Sequence, residues 1–499
     1  MLTVSTSVMR QMEAKAIANN TTGFTLMKRA GMQAAQIINN QAKNLNFTRA
    51  IFLVGSGNNG GDALVTAANI NIPHKIYLCK DSSAFKNEAL EAWNTYKDNL
   101  DIEEKPFNKN DLQDGDVIID GLLGIGFTGS KLKESLEVIT KEVNNSQRPV
   151  IALDLPTGLN ANTGIAVPNT IKAYLTITFS SPKTGMFLND GLLHCGCLRV
   201  VDIGLDYEQV PQTDAIDVFT LIDAKKHFPK IPYDAHKKSR GQVMIIAGSK
   251  QYPGAANLSA IASLYSTFAG MVYLAKPDVC INSNNIPSAI VPISVDSNQK
   301  NGTLGENFPE QIKDLNFNAV AFGPGLGKIS PKVLEKLLDI EVFTVIDADG
   351  INAISTYPEL WKKRNNIVLT PHHGEIVRLA KAFNIPVSLD RISLAKKLAQ
   401  TLNCTILYKG PKTVIANQHG QCLINTTGSN ALATAGSGDV LTGIIAAIGS
   451  MGLEPIYAAA LGAFIHGAAG ELGKLGVTAD ELPLLARKIA QNIIYSTVF

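Results

Sequence analysis

The run Ile51-Phe52-Leu53-Val54-Gly55-Ser56-Gly57-Asn58-Asn59-Gly60-Gly61-Asp62 passes from four apolar residues into a glycine-rich turn, with a helix expected to open near Ala63. A short buried strand feeding a helix through glycines begins a βαβ unit. The glycines permit a tight turn and close approach of a ligand, and a helix N-terminus offers unpaired N–H groups to phosphate oxygens. The turn also fits G-x-G-x-x-G with Asp81 about twenty residues on, the spacing of a dehydrogenase-type dinucleotide site. Asp62 counts against that fit, because a carboxylate at the helix start would repel a pyrophosphate, although it would also serve as a cap.

Two further apolar runs in this half end in aspartate. Val117-Ile118-Ile119-Asp120-Gly121 leads into a second glycine-rich loop, Gly124-Ile125-Gly126-Phe127-Thr128-Gly129-Ser130, and Val150-Ile151-Ala152-Leu153-Asp154 leads into Leu155-Pro156-Thr157-Gly158. Any one of these aspartates would be an ordinary turn former. Ligands of open α/β sheets bind outside the carboxyl ends of the strands, so Asp120 and Asp154 are expected to converge beside the first loop.

The same alternation continues in both directions. Strands are expected over 50–54, 75–79, 117–120, 150–154, 173–179 and 198–202, then over 243–247, 272–275, 319–322, 343–347, 367–370 and 405–408. Helices are expected over 7–39, 83–99, 131–143, 256–269, 331–338, 393–402, 440–449 and 455–474. Strands alternating with helices imply mainly parallel sheets covered on both faces, an α/β class. The stretch from Asp206 to Asp234 is richer in charge and proline, and divides the chain into expected domains 1–215 and 216–499.

With 499 residues and 45% hydrophobic content, the chain has ample material for two buried cores. A net charge of +2 gives no basic footprint for nucleic acid. Six cysteines are too few for a disulfide framework, and Cys195 and Cys197 lack a second pair to complete a zinc site. Arg10, Glu13 and Lys15 interrupt the N-terminus, so no signal peptide is expected and the cytoplasm is the expected location. The most apolar stretch, 440–470, is cut by Glu454-Pro455 into pieces below the roughly 18–20 residues of a membrane span.

The second half carries the sharpest motif, Thr434-Ala435-Gly436-Ser437-Gly438-Asp439-Val440-Leu441-Thr442-Gly443. Small residues opening a helix present several N–H donors to an anion, and Asp439 beside them would exchange a proton with a hydroxyl brought up to it. Lys409-Gly410-Pro411-Lys412-Thr413, Thr370-Pro371-His372-His373-Gly374-Glu375, Gly323-Pro324-Gly325-Leu326-Gly327 and Pro253-Gly254-Ala255 each follow an expected strand.

On the Asn58–Asp62 run and its two companion strand ends, the first half resembles the NAD(P)H-hydrate epimerase family, the YjeF N-terminal domain. The resemblance implies a Rossmann-like three-layer α/β/α fold and interconversion of the R and S forms of hydrated NADH and NADPH. It further implies substrate contacts from Asn58, Asn59, Gly60, Gly61, Asp62, the Gly124–Ser130 loop and Asp154, and potassium held by Asn59, Asp120 and Thr157. Hydroxyl and carboxyl oxygens suit that hard cation. The departure is Ala63, where the family usually has glycine. The hydroxylated ring carbon is a hemiaminal centre, and Asp154 is the expected acid–base group at its oxygen.

The second half, from about residue 222, resembles the ribokinase-like fold and within it the NAD(P)H-hydrate dehydratase family, on Thr370–Glu375 and Lys409–Thr413. The resemblance implies that Ala255, Gly325, His372 and Asp439 contact the hydrated nucleotide. Lys409, Gly410, Pro411, Lys412, Thr413 and Gly438 would hold ADP or ATP with magnesium, and Asp439 would be catalytic. Ala247 departs from the family's usual glycine. Together the halves imply a bifunctional nicotinamide nucleotide repair enzyme, expected to be a homo-oligomer without nucleic-acid or membrane partners. The competing readings are a small-molecule kinase in the second half, with Asp439 as base, and a first half that binds a nucleotide without turnover.

Overall fold

The computed structural model describes residues 2–103, 105–205, 216–266, 268–280, 286–298, 302–387 and 390–495. The chain divides into two compact units, Met1–Asp217 and Val218–Phe499. The expected boundary at 215 lies outside the described residues.

In the first unit, strands β1 (Arg49–Val54), β2 (His74–Leu78), β3 (Ile102–Glu103), β4 (Asp116–Gly121), β5 (Val150–Leu153), β6 (Leu175–Phe179) and β7 (Cys197–Val201) form one sheet in the order β3-β2-β1-β4-β5-β6-β7. Every pairing is parallel. The central strands are buried on both faces, which is why they read as unbroken apolar runs rather than alternating ones. The order reverses between β1 and β4. A crevice forms at such a reversal, and the loops after these two strands open into it.

The N-terminal stretch expected as one helix is two, Thr6–Ala18 and Gly23–Leu45. The Thr22 hydroxyl accepts the Thr25 N–H at 3.1 Å and starts the second helix, and Asn46 in the left-handed conformation ends it. Leu26, Met27, Ala30, Ala34 and Ile38 form its buried face against the sheet. Burying such a leucine or isoleucine contributes about 1.5–3 kcal/mol.

The second unit holds strands β8 (Asp217–Phe219), β9 (Gln242–Ile246), β10 (Met271–Pro277), β11 (Ile290–Val295), β12 (Ser297–Asn298), β13 (Thr303–Leu304), β14 (Ala319–Phe322), β15 (Phe343–Ile346), β16 (Ile367–Leu369), β17 (Thr405–Tyr408), β18 (Val414–Ala416) and β19 (Cys422–Asn425). Its main sheet runs β11-β10-β9-β14-β15-β16-β17-β18-β19-β8, with β12 and β13 a separate antiparallel pair. The block from β11 to β17 is parallel, and β17-β18-β19 is antiparallel. Here the order reverses between β9 and β14.

The helix Ser437–Gly449 lies against the helix Pro253–Tyr265, close enough that a side chain on Gly443 would strike the Ser259 carbonyl at 2.1 Å. The helix Pro455–Gly473 is buried around most of its circumference, as its apolar sequence requires. Among the described residues no helix is long and apolar enough to cross a membrane.

Candidate active sites

In the first unit the expected glycine loop is already helical: the helix runs Asn58–Ala67, not from Ala63, and Gly57 is its N-cap. Asp62 is therefore not a cap but a second-turn residue. Packing imposes the early start. A Cβ on Gly60 would lie 1.8 Å from the Gly55 carbonyl oxygen, and one on Gly61 would lie 2.6 Å from Met27, so only glycine lets this turn nest against its strand and the long helix.

The crevice at the β1/β4 reversal is a cavity of about 770 Å3, and its wall includes Asn58, Asn59, Asp62, residues 124–129 and Asp154. Gly60, Gly61 and Ser130 are not part of that wall. From the N-terminal helix Met9, Arg10, Glu13 and Ile17 also face it.

Asp154 follows β5 with φ of 61°, a left-handed conformation that costs a non-glycine residue roughly 1–3 kcal/mol. Its Oδ2 accepts the Ile125 N–H at 3.1 Å, and its Oδ1 accepts from Lys183 Nζ at 2.5 Å. Burial, with the charges of Asp154 and Glu13 nearby, lifts the Asp62 carboxyl well above the usual range. Glu13 is raised by burial and by Asp154. The cavity therefore gathers three carboxyl groups, with Asp62 and Glu13 both raised by burial and by the charge of Asp154.

Asp120 is fully buried, and its Oδ2 accepts the Thr157 N–H at 2.8 Å while Oδ1 accepts the Thr157 hydroxyl at 2.7 Å. Burial pushes the Asp120 carboxyl up to about 6 against these bonds. Asn59 Nδ2 donates to the Leu123 carbonyl at 3.0 Å, while its buried Oδ1 has no partner. Asn59 and Thr157 both approach the Leu123 carbonyl, at 3.0 and 3.5 Å, and an unpaired amide oxygen, a carboxylate and a hydroxyl are oxygen donors of the kind a hard cation takes.

The second unit assembles its site on five parallel strand ends. Gly325, with φ of 61°, sits where a Cβ would press on the Tyr252 carbonyl at 2.7 Å and on Ala255 at 2.9 Å, which joins the loops after β9 and β14. Gly327 N–H donates to Asp349 Oδ2 at 2.8 Å. Ser259, one turn beyond Ala255, donates to the Asp439 carbonyl at 3.0 Å. His372 caps the helix His373–Ala382 by accepting the Gly374 N–H at 2.9 Å, and Glu375 reaches back to the His372 N–H at 2.8 Å. Pro371 accepts the Lys409 N–H at 2.9 Å, which joins the ends of β16 and β17.

Gly436, with φ of 85°, turns the chain into the helix that begins at Ser437, and Asp439 lies in its first turn. A Cβ on Gly438 would be 3.4 Å from Lys409 Nζ and 3.8 Å from Asp347 Oδ2, so the glycine leaves an opening beside both charges. Burial and the charge of Asp347 raise the Asp439 carboxyl to about 7, only partly offset by Lys409. A carboxyl poised near neutrality exchanges protons efficiently.

The sequence has relatives of known kind. Residues 243–492 match the NAD(P)H-hydrate dehydratase family, and residues 23–185 match the YjeF-related protein N-terminus. A bifunctional NAD(P)H-hydrate repair enzyme Nnr from Moorella thermoacetica is 33% identical across 94% of this chain and 93% of its own length. The chain belongs to the bifunctional NAD(P)H-hydrate repair enzymes. The Coxiella burnetii member is 32% identical over 95% of this chain and 96% of its own. A solved ADP/ATP-dependent NAD(P)H-hydrate dehydratase from Bacillus subtilis, co-crystallised with ATP and magnesium, covers 56% of this chain and 99% of its own at 24% identity and a TM-score of 0.45.

Four groups in the two candidate sites went unread in the sequence. Asp347 ends an apolar strand as Asp120 and Asp154 do, and the same signal would have found it. Arg391 holds the Lys409–Thr413 loop by donating to the carbonyls of Pro411 at 2.6 Å and Tyr408 at 3.2 Å, while lying over the Tyr408 ring. His466, in an apolar helix, meets Ser437 Oγ at 3.1 Å, and burial holds its imidazole down to about 4. Lys183 carries no local sequence signal.

Proposed function

We propose that the chain repairs hydrated nicotinamide nucleotides in two steps, with residues 1–215 interconverting the R and S hydrates of NADH and NADPH and residues 216–499 dehydrating the S form. The observation that carries this is the pair of independent sites, one per unit, each setting an aspartate beside backbone N–H donors, Asp154 at the Ile125 N–H and Asp439 in the first turn of its helix, where the strand order reverses.

In the first site Asp154 takes the proton of the ring hydroxyl as the carbon–nitrogen bond of the hemiaminal opens, its electron pair passing to the ring nitrogen and the conjugated carboxamide. Reclosure on the other face of the carbonyl returns the proton to oxygen, so only configuration changes. The N–H groups at the start of the helix Asn58–Ala67 and the 124–129 loop hold the nucleotide. Asn59, Asp120 and Thr157 would hold potassium, which supplies fixed positive charge beside an anionic substrate.

In the second site Ala255, Gly325 and His372 border the ring, Lys409 and the amides of Ser437–Asp439 hold phosphate, and Asp439 manages the proton at the departing hydroxyl. ADP or ATP with magnesium would supply a terminal phosphate to that oxygen, the nucleotide leaving one phosphate shorter. The ring nitrogen's electron pair would then expel the oxygen as phosphate and the neighbouring ring carbon give up its proton, so that water is lost overall.

Purified protein is mixed with equilibrated NADH hydrate, with and without ADP, and the absorbance of reduced nicotinamide is followed. Fast ADP-dependent recovery from both epimers is expected. Recovery of the S fraction alone would leave the first unit a binding module. A phosphorylated product without NADH would favour the kinase reading.

A further inference from the structure

Lys183 is 1% exposed and spends all three ammonium protons inside the first unit: on Asp154 Oδ1 at 2.5 Å, Thr178 Oγ1 at 2.9 Å and the Phe179 carbonyl at 3.1 Å. The backbone on either side is clamped by one residue of the N-terminal segment. Val4 N–H donates to the Pro182 carbonyl at 2.9 Å, and Thr184 N–H donates to the Val4 carbonyl at 3.1 Å. A buried ammonium is costly unless it is paired and fully hydrogen-bonded, and here both conditions hold.

We propose that Lys183 is a positioning residue for epimerisation, anchoring Oδ1 of Asp154 so that Oδ2 is the oxygen presented to the ring hydroxyl. The inference rests on the reading of the first site given above. Oδ1 points to the buried lysine, whereas Oδ2 lies beside Gly124, where a Cβ would come within 2.8 Å of it. Oδ2 accepts from Ile125, a residue of the cavity wall, and that one N–H leaves it a further lone pair. With both oxygens tied, the carboxylate does not rotate.

Lys183 also places positive charge where three acidic side chains gather, since Asp62 and Glu13 both feel Asp154 and both are partly offset by Lys183. Lys183 borders the same cavity, but its three protons are all engaged, so the ammonium acts through Asp154.

The test uses the full-length chain and follows epimerisation of the R hydrate of NADH, with dehydration of the S hydrate as an internal control. Lys183→Met is expected to lower kcat for epimerisation on the order of 100-fold, with KM changed less than about threefold and dehydration unaffected. Lys183→Arg, which keeps a charged donor, is expected to recover a substantial part of the rate. Near-UV circular dichroism reports whether the first unit folds. Should Lys183→Met unfold it, Lys183→Gln retains donors for Thr178 and Phe179 and is read by the same kcat-against-KM split.

A rate within about twofold of wild type, a loss confined to KM, or an arginine variant no better than methionine would each overturn the proposal. A wild-type chain that does not epimerise at all would instead sink the reading of the site on which it rests.

Discussion

Lys409 Nζ donates to Asp347 Oδ1 at 2.7 Å, so a side chain leaving β17 reaches past β16 to the end of β15. Asp347 Oδ2 is taken by the Thr442 hydroxyl at 2.8 Å, from the helix that carries Asp439. Burial works against the Lys409 charge, but Asp347 and Glu375 outweigh it and leave the ammonium pKa raised. The pair thus fixes a cation and an anion beside Asp439. Asp347 and burial together lift Asp439, and Lys409 limits the lift.

Dehydration should therefore titrate with Asp439. The carboxylate is the form that accepts the hydroxyl proton, so kcat/KM should rise through about pH 7 and level above it. Initial rates of S-hydrate dehydration between about pH 5.5 and about pH 8.5 measure this. A profile flat across that range would remove Asp439 from the proton-transfer step.

Asp439→Asn should abolish dehydration and leave epimerisation at the wild-type rate. It should also stabilise the second unit, but only at higher pH. The folded-state carboxyl is raised from 3.8 to about 7, so the native chain binds this proton more tightly than the unfolded one. Stability from that proton is present below the lower value and is lost as pH rises through the upper one. Asparagine avoids the loss. Melting at about pH 8 should rise by roughly 2–4 °C for each kcal/mol relieved, with no gain near pH 4.

The sites were legible where chemistry follows directly from a strand end. Asp120, Asp154 and Lys409 each sit just after or at the end of an apolar run, and parallel pairing brings such ends to one edge. Asp347 carried the same mark but lacked a glycine-rich loop to draw attention to it. Lys183 was invisible because its importance comes from burial, and a lysine after Ser180-Ser181-Pro182 reads as an exposed turn. Gly60 and Gly61 misled the helix boundary: glycine is a poor helix former, and the tight approach to Gly55 and Met27 that requires it is a tertiary fact. The antiparallel edge of β18 and β19 escaped notice because two strands of 3 and 4 residues are too short to show a period.

Asn59 offers the clearest test of the cation. Its buried Oδ1 lacks a partner while its amide donates to Leu123. Replacing sodium by potassium should raise both the epimerisation rate and the melting temperature of the wild-type first unit. Asn59→Leu should abolish that response to potassium, leaving dehydration unchanged. Equal responses in the two proteins would place the cation elsewhere.

Arg391 touches no reacting group yet holds three carbonyls of the Tyr408–Pro411 turn. Removing a clamp from a ligand loop weakens binding by the cost of ordering that loop on each encounter. Arg391→Ala should raise the KM for adenine nucleotide about tenfold, equivalent to about 1.4 kcal/mol, with kcat close to wild type. Titrating ADP at saturating S hydrate distinguishes this from a fall in kcat, which would mean that the loop takes part in the chemical step.

Ala348 stands between the two aspartates of this site with φ of 47° and ψ of -115°, a region that alanine occupies only under strain. The strain has a visible purpose. The turn sends the Asp347 carboxylate to Lys409 and Thr442 and the Asp349 carboxylate to the Gly327 N–H, with one residue between them. Glycine would relieve roughly 1–3 kcal/mol of backbone strain and return about 0.4–1 kcal/mol of it as unfolded-state entropy. Ala348→Gly should therefore raise the melting temperature of the second unit, by about 2–4 °C per net kcal/mol. The same freedom should loosen Asp347 and lower the dehydration rate severalfold, while epimerisation stays constant. A variant that melts earlier and turns over as fast as wild type would show that the turn is neither strained nor needed to hold Asp347 in place.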